Sequence, residues 1–155
     1  MAHRPARPLL LSMLLLAPAA LPAQPIAPGR WDVKSTGVDL VIPGTPAFML
    51  RMLRGRSQTE KKCLLPAQAQ GGIAALLVPK PDARCQVERA VAAGGRIDHV
   101  MLCPQKDGAP LRIVRAGIYT PAGFTLHMTM TGTTPKGPMR IVADQVATHA
   151  GPKCP

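Results

Sequence analysis

The chain has 155 residues, a net charge of +11, 46% hydrophobic residues and only 3% aromatic ones. That length suits a single domain, and the scarcity of aromatics removes the stacking platforms that single-strand nucleic-acid binders use. The positive charge therefore points to an acidic protein or an anionic envelope surface as partner, and away from nucleic acid.

Residues 1–23 read as a signal peptide. His3, Arg4 and Arg7 precede the apolar run LLLSMLLLA, and small residues follow. An apolar core of about nine residues is too short to span a bilayer as a helix, which takes about 20. Cleavage is expected after Ala23, with Ala19 as the alternative. Residues 24–155 then form one domain with no transmembrane segment. Loss of Arg4 and Arg7 takes the 19 basic residues to 17 against 8 acidic ones, a net charge near +9. Four cysteines, an even number in an exported chain, point to two disulfides and a periplasmic or secreted location.

After an extended lead-in, QPIAPGR, the segment WDVKSTGVDLVI alternates from Trp31 as a half-buried strand does. Gly37 marks a bulge or bend in it, and PGTP at 43–46 is a turn. The segment FMLRMLRGRSQTEKKC reads as a strand, a Gly-Ser turn at 55–57 and a second strand into Cys63. Helical spacing of Phe48, Met49, Met52 and Leu53 is the alternative. Pro66 can open one short helical turn, and residues 70–84 read as a loop.

Cys85 to Cys103 reads as a hairpin turning at Gly94-Gly95. A three-residue loop, Ala93 to Gly95, sets residues i and j to sum to 188 and places Cys85 opposite Cys103. One face then carries Cys85, Val87, Val91, Ile97, Met101 and Cys103, and His99 faces Arg89. Strands follow over LRIVRAGIY, FTLHMTMT and MRIVADQVATH, separated by turns at Thr120–Gly123 and Gly132–Pro138. FTLHMTMT alternates most cleanly, with Phe124, Leu126, Met128 and Met130 on one face. The whole reads as an all-β domain, an antiparallel meander of about seven or eight strands in a curved or partly closed, barrel-like sheet.

Four cysteines allow three pairings. Facing hairpin residues lie about 4.5–5.5 Å apart at Cα, inside the disulfide window. This favours Cys85 with Cys103 and Cys63 with Cys154. The rival set pairs Cys63 with Cys85 and Cys103 with Cys154.

PGRW before an alternating strand, C-L-x-P after the first cysteine, two cysteines flanking a hairpin, HMTMTG, and a Gly-Pro-x-Cys end come in a recognisable order. Together they resemble the DUF3617 family of bacterial exported proteins, from about Gly29 to Cys154. The resemblance implies export and a similar fold, and brings no catalytic residues. The family usually ends in Gly-x-Cys, whereas Gly151-Pro152-Lys153-Cys154 has one residue more.

Catalytic signatures are missing from the sequence: there is no Gly-x-Ser-x-Gly, no His-Glu-x-x-His and no phosphate-cradling glycine loop. No enzyme activity, cofactor or metal is therefore expected. His99, His127 and His149 stand on separate strands and read as surface or edge histidines. His127 with Met128 and Met130, and Met101 and Met139 nearby, would be the residues of a soft-metal site, but alternation turns His127 away from the two methionines, which read as core. The expected role is that of an exported binding or envelope-accessory domain. The basic segment Arg51, Arg54, Arg56, Lys61 and Lys62 is its candidate partner surface. The alternative role is a carrier whose curved sheet, lined by Trp31, Phe124, Leu126, Met128 and Met130, encloses a small apolar ligand or a soft metal.

Overall fold

The computed structural model describes residues 25–154. The expected signal peptide and its cleavage site lie outside them. Seven antiparallel strands form one sheet: β1 (Gly29–Val41), β2 (Ser57–Leu64), β3 (Gln86–Ala93), β4 (Arg96–Cys103), β5 (Leu111–Thr120), β6 (Gly123–Thr134) and β7 (Gly137–Gly151). Their order is β2-β1-β7-β6-β5-β4-β3, so β3 to β7 run as a meander and β1 slots between β7 and β2. The strands and the all-β class thus follow the alternation in the sequence. Of the two expected forms, a curved or a partly closed sheet, closure is not reached: β2 and β3 are the two edge strands, each paired on one side only.

What lies between those edges is residues 65–85, here called the strap. It contains a short helix α2 (Pro66–Ala69) and two 3-10 segments, Gly72–Leu77 and Pro81–Ala83. Sequence reading made residues 70–84 a loop; within it Ile73, Leu76 and Leu77 are buried against Trp31, Leu64, Ile97, Phe124 and Leu126. Each such side chain removed from water contributes about 1.5–3 kcal/mol, which outweighs the poor helix-forming quality of a Gly- and Pro-rich segment. The apolar core is therefore filled by the chain itself. Trp31, fully buried, donates its indole N–H to the Ala27 carbonyl at 2.9 Å and meets the His149 ring edge-on at 5.1 Å.

Both disulfides take the favoured pairing, with Cα separations of 5.6 Å for Cys63–Cys154 and 4.1 Å for Cys85–Cys103. They flank the strap. Cys63 fastens the end of β2, just before it, to the tail beyond β7. Cys85, its last residue, is fastened to β4.

The hairpin register is right at one end and shifted at the other. Gln86 pairs with Leu102 and Val87 with Met101, summing to 188, but from Arg89–Val100 to Ala93–Arg96 the sum is 189. A bulge at Glu88 absorbs the difference. The turn is then the two-residue Gly94-Gly95, both at positive φ (57° and 74°). That geometry is what a twisted hairpin favours and what glycine adopts without strain. As a consequence Val91 leaves the apolar face and is exposed, and His99 pairs with Ala90 instead of Arg89.

A second correction concerns residues 47–53. AFMLRML forms a helix, α1 (Ala47–Leu53), where a strand was favoured, while SQTEKKCL does form the strand β2. Leu, Met and Arg, none of them branched at Cβ, suit a helix. Helix α1 stands on the β1 bulge: Gly55 N–H donates to Gly37 O at 2.8 Å and Gly37 N–H to Arg56 O at 3.1 Å.

Candidate functional site

Two regions concentrate chemistry that the core does not use. One is the end of the sheet that carries α1, and the other is the inner face beneath the strap.

Helix α1 buries none of its residues. Phe48 and Met52 are each 58% exposed, and Met49, Leu53, Val38 and Val41 are exposed as well. Large apolar side chains gathered on one short element are unusual on a soluble surface. Around them stand cations. Arg54 and Arg140 both bind Asp39, at 2.8 and 3.3 Å, which leaves this trio positive. Arg56 donates to Met52 O at 3.0 Å, and Arg51 sits in the last turn of the helix. Lys136, from the β6–β7 turn, lies over Gly44 in the loop leading into α1.

The expected basic segment is thus divided. Arg51, Arg54 and Arg56 gather around α1, whereas Lys61 and Lys62 lie on opposite faces of β2. Lys62 points inward and donates to Leu76 O at 2.6 Å and Val78 O at 3.3 Å, tying the strap down. Burial lowers its pKa below the ordinary value, with Glu60 opposing the shift and Arg115 and Lys80 adding to it.

On the inner face a polar chain crosses the sheet between two apolar clusters. Gln145 donates to Ser35 Oγ at 2.9 Å. Arg115 Nε donates to Gln145 Oε1 at 3.0 Å, and Arg115 Nη1 lies 3.4 Å from His99 Nδ1 and 3.7 Å from Met101 Sδ. His99 is only 3% exposed, so it is neither a surface nor an edge histidine. Burial, reinforced by Arg115 and Lys62 and opposed by Asp98, lowers its pKa from 6.5 to about 4. Burial also lowers the pKa of Arg115, with Glu60 opposing. Neither residue stood out as a site in the sequence. For Arg115 the signal was present: it alternates with Ile113, Gly117 and Tyr119 along a strand whose inner positions are otherwise apolar or small.

The other candidate residues separate. His127 faces outward and meets Asp144 at 2.9 Å, while Met101 and Met128 are packed inside with Ile113 and Ala143. A guanidinium on Met101 sulfur and an outward His127 do not make a soft-metal cage. Among the described residues no group of three or more His, Cys, Asp or Glu gathers at metal-binding distance.

A family model described as "Protein of unknown function (DUF3617)" matches residues 26–154, almost the whole described chain. The chain belongs to the DUF3617 family. Comparison with curated proteins and with solved structures returned no match. For this DUF3617 member the disulfides that flank the strap are compatible with an exported protein, and no helix among the described residues is long and apolar enough to cross a membrane.

Proposed function

We propose that this DUF3617 protein is a periplasmic or secreted domain that acts by binding and not by catalysis, and that it docks on an anionic membrane surface through α1. The observation that carries this reading is a helix with no buried residue that exposes Phe48, Met49, Met52 and Leu53 among arginines. Apolar side chains seated at the acyl boundary with basic groups at headgroup level are how interfacial helices bind. Two apolar side chains leaving water contribute at least about 3 kcal/mol, and three arginines near an anionic surface about 1 kcal/mol each. Their sum, about 6 kcal/mol, corresponds to a Kd of tens of micromolar, a reversible peripheral association. The binding role is supported further by five of the eight acidic residues: Asp39, Glu60, Glu88, Asp98 and Asp144 each face lysine, arginine or histidine in exposed ion pairs instead of converging on a cleft.

Co-sedimentation with vesicles tests this. Mature protein is expected to bind vesicles of phosphatidylethanolamine and phosphatidylglycerol, to release with salt, and to ignore phosphatidylcholine alone. The double variant Phe48→Ser, Met52→Ser is expected to lose binding while keeping its thermal stability, because neither side chain is part of the core. An acidic protein partner would depend on the arginines and tolerate the serines, so retention of vesicle binding by this variant contradicts the membrane reading.

A further inference from the structure

The strap does not seal against the β3 edge. Between them runs a cleft of about 460 Å³, lined by Gln68, Ala74, Ala75 and Val78 of the strap and by Leu64, Val87, Ala90 and His99 of the sheet. That size lies in the range of small-molecule sites, as does a lining that is mostly apolar with two polar side chains, Gln68 and His99. This is not the space expected from the sequence, since Trp31, Phe124 and Leu126 lie in the filled core beneath the strap.

The histidine has a defined role. A guanidinium can only donate, so the contact between Arg115 Nη1 and His99 Nδ1 makes Nδ1 the acceptor and puts the ring hydrogen on Nε2. The described residues give Nε2–H no acceptor, and His99 lines the cleft. A hydrogen-bond donor therefore stands inside an apolar site. The electrostatics select among acceptors. Arg115 has no carboxylate within ion-pair distance among the described residues, and both Arg115 and Lys62 make the surroundings of His99 positive, with Asp98 opposing.

We propose that this cleft binds a single aliphatic chain ending in a carboxylate, with the carboxylate on His99 Nε2–H and the chain along Ala74, Ala75, Val78 and Ala90. The site is independent of membrane docking: α1 takes no part in it.

Titration calorimetry with decanoate, and with decyltrimethylammonium as a chain of the same length carrying the opposite charge, tests it on mature, oxidised protein. Decanoate is expected to bind at least about tenfold more tightly than the cation. Ala90→Phe, at the exposed edge strand where the fold tolerates it, fills the cleft and is expected to weaken decanoate at least about tenfold. His99→Leu is expected to abolish the preference for the carboxylate. Equal affinity for the two head groups, unchanged decanoate affinity in Ala90→Phe, or no heat from decanoate at millimolar concentration overturns the proposal. The Phe48→Ser, Met52→Ser variant is expected to bind decanoate like the natural chain, which keeps the two proposals separable.

Discussion

At His99 a neutral imidazole is buried beside a guanidinium, and this makes the fold sensitive to acid. The unfolded histidine takes up its proton near pH 6.5, whereas the folded one resists until about pH 4. The unfolded state therefore binds more protons in that window, so stability is unaffected above it and falls as pH drops through it. Between pH 7 and pH 4.5 the loss is on the order of 2 kcal/mol. Urea unfolding at the two pH values should show His99→Leu losing less stability on acidification than the natural chain by about this amount. An equal loss in both would remove the histidine as the cause. Sequence reading set Arg89 opposite His99. The bulge at Glu88 sends Arg89 outward to Asp98, at 2.8 Å, and the neighbour is Arg115 instead. A one-residue bulge leaves no mark in hydrophobic alternation, which is why the wrong arginine was named.

The strap carries the main stability predictions at the level of elements. In the chain-entropy account a disulfide stabilises according to the loop it closes. The separations are 91 residues for Cys63–Cys154 and 18 for Cys85–Cys103. Replacing Cys63 and Cys154 together by alanine is expected to cost about 4.5 kcal/mol, and replacing Cys85 and Cys103 about 3 kcal/mol, in denaturant unfolding. Leu76→Ala, a truncation at the centre of the strap's buried face, is expected to cost about 2–5 kcal/mol; a cost below about 1 kcal/mol would mean that the strap lies on the sheet without supporting it. Strands were legible because a half-buried strand repeats every two residues, as Phe124, Leu126, Met128 and Met130 show. The strap was not. Ile73, Leu76 and Leu77 sit among glycines, prolines and alanines with no sustained period, and only the open edges of the sheet reveal that they must cover it. For α1 the helical spacing was visible, but seven residues are too few for periodicity to decide between helix and strand.

Across the whole molecule the apolar and charged residues divide by direction. The core lies under the strap, the outer face carries ion pairs such as Arg112–Glu88 and His127–Asp144, and one end of the sheet brings α1 together with Arg140 and Lys136. A net charge of +11 in the full chain raised the expectation of an anionic partner without locating a surface for it. The fold sets Arg51 on the apolar helix and Arg54 and Arg56 just past its end, while turning Lys62 inward, which is the arrangement the proposed docking uses. Fluorescence of the Phe48→Trp variant tests this most directly, because Trp31, the natural indole, is fully buried and contributes a constant background. Added phosphatidylglycerol vesicles are expected to shift the emission of the introduced indole to the blue and to shield it from an aqueous quencher, with salt reversing both. Unchanged emission and quenching in the presence of those vesicles would contradict membrane docking through α1.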